Sequence, residues 1–557
     1  MNRPLRGTLF GLLLALLPAA AVQAADLLIN NVNGYTLDSH GKLQHFQALL
    51  IEHGKVQATG DSASMTRLAG SAKVVDGQGR TLLPGLIDAH GHVMNLGHAS
   101  NQADLVGTQT LSAALAKVKA FADAHPDAKW ITGRGWNQAI WKLGRFPTAQ
   151  ELDSVVPDRP VWLRRVDGHA AWANTAAIKL AGITKATPDP SGGRIERDAQ
   201  GNPSGVFVDA ATRLIEAKVP PPSAPEQAAA LDAALAEMAR VGLTGVGDAG
   251  INLQTYRLYR SYAHAHKLTA RIYAMIGDTG ADFDTISKNG PLIGYGNDFL
   301  TVRAVKLFAD GALGSRGAAM LAPYSDDPGN RGLLFMQPAV MTAKIEKAFA
   351  KGYQVGIHAI GDRANDEVLN SFAAAYKAYP RAISLRNRVE HAQIVPLQDI
   401  PRFKSLDLIA SMQPTHATSD MNMAEDRVGA DRIKGAYAWR TFLAQGTVIA
   451  GGSDFPVESP NPFYGLYSAV TRMDHQGKPP GGWYPAQAMT FTEALRAFTL
   501  DAAYAEHAER TLGTLEPGKW ADFILIDHDM VKDPPSRIWN TRVLQTWVAG
   551  RQVYGAE

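Results

Sequence analysis

The chain has 557 residues, a formal net charge of +2 and no cysteine. Disulfides, thiolate metal sites and cysteine nucleophiles are therefore excluded, and any metal centre must be built from His, Asp, Glu or a modified Lys. The near-neutral balance leaves no electrostatic footprint for nucleic acid, and 46% hydrophobic against 19% charged residues suits a globular protein with a large core.

Arg3 and Arg6 precede an apolar run from Leu9 to Leu17, Pro18 interrupts it, and Val22-Gln23-Ala24 offers a small-x-small cleavage site. This is the pattern of a secretory signal peptide over residues 1–24. The run is short for a membrane span, and there is no cysteine to acylate. The expectation is export to the periplasm, with secretion as the alternative. Residues 25–83 then read as short strands: Leu27-Leu28-Ile29, Ala48-Leu49-Leu50-Ile51 and Lys55-Val56-Gln57-Ala58, with turns at Asn33-Gly34, His40-Gly41 and His53-Gly54. Residues 511–557 repeat that texture, with strands at 523–526 and 541–548 and a hairpin turn at Ala549-Gly550-Arg551. Neither end is large enough for a good core alone, which predicts one small β-sandwich built from both.

Between them, residues 84–510 alternate apolar strands with amphipathic helices. Strands are expected at 85–92, 245–250, 271–276, 302–308, 354–359, 388–394, 409–413 and 448–454. Helices are expected at 225–241, behind the capping-box pair Ser223 and Glu226, and from Asp362 to Tyr379. Eight β/α units predict an α/β fold of the (β/α)8 TIM-barrel type. A doubly wound sheet is the runner-up, but no GxGxxG loop follows the first strand. The gap between the first two strands far exceeds an ordinary loop. Helical signals at 111–124, 148–155 and 170–180, strand signals at 130–135 and 161–166, and a turn-rich stretch at 188–203 predict an inserted subdomain over about 100–222, lying on the barrel mouth.

Barrel enzymes place their chemistry at the C-terminal ends of the strands. In Asp88-Ala89-His90-Gly91-His92, two imidazoles one residue apart project to the same side of an extended strand and can share a metal ion. Strand four carries Lys306, strand five His358, strand six His391 and strand eight Asp454. Each alone has an ordinary structural reading: a hydrogen-bonded core histidine, a Glu390–His391 salt link, an N-capping Asp454, a Lys306 leaning into solvent. Unrelated structural residues have no reason to gather in this order at one end of one barrel.

The order resembles the metal-dependent amidohydrolase superfamily, and within it the YtcJ-like branch (amidohydrolase family 3). The matching motifs run from Pro84-Gly85-Leu86-Ile87-Asp88-Ala89-His90-Gly91-His92 through Asp167-Gly168-His169-Ala170-Ala171 with Asn174, then the stretch from Lys306 to Arg316. They continue through His358-Ala359-Ile360-Gly361-Asp362-Arg363-Ala364, Glu390-His391, Gln413-Pro414, Gly452-Ser453-Asp454-Phe455-Pro456 and Gly518-Lys519-Trp520-Ala521-Asp522-Phe523. Gly317-Ala318 departs from the Thr-Ala usual there.

The resemblance implies two divalent metal ions, zinc first, although some relatives use one. Lys306, carbamylated by CO2, would bridge them; His90, His92 and Asp454 would hold the more buried ion, and His358 and His391 the more exposed one. The implied reaction is hydrolysis of a non-peptide C–N bond, of the N-acyl or N-formyl amide class, by a metal-activated hydroxide with Asp454 as proton shuttle. Some relatives deformylate N-substituted formamides. His169 is expected to assist at the oxyanion or bind substrate, unless it only pins the insert to the barrel. Trp136, Asp310, Gln413 and His416 are expected at the pocket. Alternatives are ester or lactone hydrolysis at the same site, or an exported metal-binding regulatory protein without turnover. The expected partner is a small-molecule substrate, with neither nucleic acid nor a membrane once the leader is removed; dimers are common among such relatives, which leaves a homodimer open.

Overall fold

Eight parallel strands form the centre of the molecule: β1 (Leu86–Gly91), β2 (Leu243–Ile251), β3 (Arg271–Gly277), β4 (Leu300–Phe308), β5 (Gln354–Ala359), β6 (Arg388–His391), β7 (Ile409–Met412) and β8 (Ile449–Gly451). The computed structural model describes residues 26–99 and 102–555; the leader expected at 1–24 lies outside them. Each strand pairs with its predecessor in sequence, and the residues of β1, β5, β6 and β7 are all buried, as a barrel wall covered by helices demands. Helix Ala224–Arg240 starts at the Ser223–Glu226 capping box and turns Leu231, Leu235 and Met238 toward the strands. Helix Asp362–Ala378 likewise buries Val368, Leu369 and Phe372.

No ladder joins β8 to β1. The seam is closed instead by the Asp88 carboxylate, which accepts from the Ser453 N–H at 3.0 Å and the Ser453 hydroxyl at 2.6 Å. Beside it, the Asp454 N–H donates to the His90 carbonyl at 2.7 Å. Gly452 permits the approach: a Cβ there would lie 2.6 Å from Asp88 Oδ1 and 2.7 Å from the His90 nitrogen. Strands six and eight are shorter than the sequence suggests. His391 and Ala392 take φ of 71° and 42°, and Asp454 takes 61°, so the chain leaves the extended region.

The two chain ends form a sandwich. One sheet orders Lys55–Gly60, Ala48–Glu52, Leu27–Asn30 and Lys73–Asp76; the other orders Arg551–Tyr554, Val543–Val548, Phe523–Ile526, Thr81–Pro84, Asn33–Leu37 and Leu43–Phe46. Ile29, Leu49, Leu82, Phe523 and Trp547 share its core. The residue after Ala521 fastens the sandwich to the barrel. Asp522 takes two hydrogen bonds from the Arg271 guanidinium, at 2.6 and 3.0 Å, while Trp520 and Phe299 lie 4.9 and 4.7 Å from it.

The insert is a six-stranded sheet ordered Gly193–Arg197, Pro203–Asp209, Ala170–Ala173, Val161–Arg165, Ile131–Trp136 and Ala103–Asp104, with helices Leu111–Ala124, Ala149–Asp153 and Thr175–Leu180. The helix expected over 170–180 is therefore half strand. Ala170–Ala173 is flanked by strands on both sides, and helix begins only after Asn174, whose side chain caps the Ala177 N–H. Pairing overrides the helical preference of alanine there. The turn-rich stretch likewise contains strand Gly193–Arg197.

Because Arg271 and Asp522 are both buried, Asp522→Ala strands an unpaired guanidinium between barrel and sandwich. The expected cost is about 3–5 kcal/mol, read as a lower Tm and an earlier urea transition; a change within about 0.5 kcal/mol would show that the pair does not carry the junction.

Candidate metal centre

The six expected ligands meet at one end of the barrel. His90 lies on β1 with His92 just beyond it, Lys306 on β4, His358 on β5, His391 at the end of β6 and Asp454 three residues beyond β8. One ligand atom each from His90, His391 and Asp454 lies within 4.8 Å of the other two. Asp454 Oδ1 is 3.1 Å from His92 Nε2 and 3.6 Å from His90 Nε2. Lys306 Nζ is 3.2 Å from His90 Nε2, and the His358 and His391 rings are centred 4.5 Å apart. The left-handed backbone at His391 and Asp454 turns both side chains inward, an uncommon conformation of the kind that gathers at functional sites.

The electrostatics suit a cation. Burial, reinforced by Lys306, pushes His90 down to about 4, and burial holds His358 and His391 well below the usual histidine range. The imidazoles are therefore neutral near pH 7 and free to ligate. For Asp454, burial works against ionisation, but the His92 hydrogen bond and the surrounding imidazoles outweigh it and hold the carboxyl well below the usual range. Lys306 is buried and forms no salt bridge among the described residues; burial pushes its amine down to about 8. A largely buried cluster of imidazoles, a carboxylate and a readily deprotonated amine, with no sulfur, fits a divalent metal ion.

A second layer fixes the ligands. His90 Nδ1 is 2.6 Å from Glu390 Oε2. Glu390 pairs with Arg388 at 2.8 Å, and both are fully buried. Arg388 Nη2 also donates to the Ala89 carbonyl at 2.6 Å and the Ser411 hydroxyl at 2.8 Å. The link considered between Glu390 and His391 is thus not made. Residues two apart on a strand share a face, so Glu390 joins Arg388 inside the barrel and serves His90 instead. Gln413, expected at the pocket, holds His391: its Oε1 is 2.8 Å from His391 Nδ1.

His416 stacks on His391, with ring centroids 5.8 Å apart, and its Nε2 is 3.8 Å from Asp454 Oδ2, at the mouth. His169 comes from the insert. Its Nδ1 is 3.0 Å from Asp209 Oδ1. Burial opposes its charged form, but the Asp209 hydrogen bond with Asp167 and Asp310 prevails and raises its pKa; Asp310 and His358 in turn feel its charge.

One expected pocket residue lies elsewhere, and another borders the centre from beneath its loops. Trp136 has 0% exposure in the insert core, where Nε1 donates to the Leu163 carbonyl at 2.7 Å and Trp141, Phe146 and Trp172 surround the ring. Asp310 also has 0% exposure, but it sits against the centre, with Oδ1 3.5 Å from His358 Nε2. It accepts the N–H groups of Ala319, Ile360 and Gly361, pinning the loop after β4 to the end of β5. Two residues were missed from sequence: Glu390 and Phe308. Phe308 is 41% exposed, with Lys306 Nζ 4.5 Å from its ring centre and the His358 ring at 5.4 Å, so it walls the centre on one side. The i, i+2 spacing from Arg388 was a legible signal for Glu390.

A (β/α)8 barrel whose strand ends gather this donor set defines a member of the metal-dependent amidohydrolase superfamily. The chain belongs to the amidohydrolase family, whose model matches residues 73–554. It is 32% identical to the putative amidohydrolase YtcJ of Bacillus subtilis, over 93% of this chain and 98% of the relative. It is 29% identical to the N-substituted formamide deformylase of Arthrobacter pascens, over 95% of this chain and 98% of the relative. The crystal structure of an uncharacterized metal-dependent hydrolase from Pyrococcus horikoshii matches with a TM-score of 0.76 at 28% identity, covering 91% of this chain and 99% of that one.

Glu390→Gln removes the charge behind His90 and keeps the shape. Metal affinity is expected to fall about 10- to 100-fold, measured by chelator competition; unchanged affinity would mean that Glu390 does not orient a ligand.

Proposed function

We propose that the chain hydrolyses a non-peptide C–N bond in an amide of the N-acyl or N-formyl class, giving an acid and an amine. His90, His92 and Asp454 would hold one divalent ion and His358 and His391 a second, zinc in both cases, with Lys306 as a carbamate between them. Ions bound there would lower the pKa of water and polarise the carbonyl oxygen.

The observation that carries the reading is the position of Asp454. Its carboxyl is held well below the usual range and sits among imidazoles, 3.1 Å from His92 Nε2 and 3.8 Å from His416 Nε2. An anionic carboxylate there takes the proton of the attacking water and returns it to the departing nitrogen, acting as base and then acid. His169 Nδ1 is committed to Asp209, and its raised pKa favours a protonated ring that offers an Nε2–H donor to the developing oxyanion. Phe308 gives the N-substituent or acyl group an apolar wall. The deformylase relative supports the amide class, and the leader pattern of residues 1–24 supports action in the periplasm.

Asp454→Asn is expected to lower kcat by about 10²- to 10⁴-fold on an N-substituted formamide. Near wild-type turnover with metal retained would refute the proton shuttle. A panel of a formamide, an acyl anilide and a lactone decides the bond: faster lactone cleavage would move the reading to ester hydrolysis.

A further inference from the structure

Arg134 sits on the insert strand Ile131–Trp136 between two glycines. The ladder to Val161–Arg165 slips between Arg134 and Trp136, and Gly135 takes a φ of 94°. A Cβ on Gly135 would lie 2.4 Å from Val106 Cγ2 and 2.7 Å from the Val106 nitrogen; one on Gly133 would lie 2.6 Å from the Ala103 carbonyl oxygen. Only glycine fits on either side, so the bulge is built into the strand, and bulges re-aim the side chains beside them. The Arg134 side chain reaches out of the insert to the barrel. Its Nη2 donates to the Pro456 carbonyl, two residues beyond Asp454. The guanidinium makes no other hydrogen bond among the described residues, although the residue is half-buried. The carboxylates of Asp104, Asp454 and Glu458 all act on its charge.

We infer that Arg134 is a positioning residue: by holding the Pro456 carbonyl it registers the insert against the loop that carries Asp454. Val166, three residues before His169, bonds through its N–H to the carbonyl of Trp136 at 3.1 Å. The strand that carries Arg134 therefore also helps to set where His169 stands. One bond thus spans the two parts of the site, the carboxylate from the barrel and the imidazole from the insert. The kinetic consequence rests on the hydrolase reading above; the mechanical one does not.

The test uses the metal-loaded full chain with Arg134→Gln and Arg134→Lys, the lysine keeping one donor and the charge. Hydrogen–deuterium exchange is followed in residues 452–458 and 131–136, and kcat and KM are measured on an N-substituted formamide. Arg134→Gln is expected to speed exchange in both segments and lower kcat about 10- to 100-fold, since a small misplacement costs that much. KM should stay within about threefold, and Arg134→Lys should recover most of both losses. Unchanged exchange overturns the inference. So does a raised KM with kcat preserved, which would make Arg134 a substrate-binding group. Should the wild type turn over no amide at all, the hydrolase reading fails while the exchange comparison still decides the registration.

Discussion

The Asp88–Ser453 clasp is the constraint on which the site depends. A barrel of eight parallel strands must join its last strand to its first, and here no ladder does so. A buried carboxylate accepts both donors of Ser453, and a glycine leaves room for it. His90 stands two residues after Asp88 and Asp454 one after Ser453. Closing the barrel and bringing the metal-ligand candidates together are thus one event. Burial pushes Asp88 up to about 7, against the pull of the Ser453 and His90 donors, so the clasp spends desolvation energy to fix its geometry.

The barrel interior continues that logic. Arg388 and Glu390 have no exposed surface, and their charges are tolerable only because each is met by partners: Glu390 by Arg388 and His90, Arg388 also by the Ala89 carbonyl and Ser411. Such a pair is weak evidence for stability, since apolar residues would often serve as well. Its value lies in orientation. It fixes which nitrogen of His90 faces the centre, leaving Nε2 toward Lys306 and Asp454.

Much of this was legible in the sequence, and the limits are physical. The His-x-His pair and the apolar runs announce strands because period and burial agree. The ligand order follows from where strands end. The Ala170–Ala173 strand was hidden because alanine has no strong strand preference and pairing decided the matter. Trp136 was misplaced for a related reason: the Gly135 bulge shifts the strand's alternation, and the ring turns into the insert core while Arg134 turns out. Asp310 stands beside His358 as a pocket residue would, and it is also the receptor for three backbone donors, a role that only the loop path reveals.

The sandwich has a bearing on how the molecule comes into being. Thr81–Pro84 lies between Asn33–Leu37 and Phe523–Ile526, so one flank of that apolar strand stays bare until the distant strand Phe523–Ile526 has been made. An N-terminal segment waiting in that condition is a sticky edge. The protein is thus committed to a late closure, because a ribosome releasing it in order hands over the sealing strand long after the edge it covers.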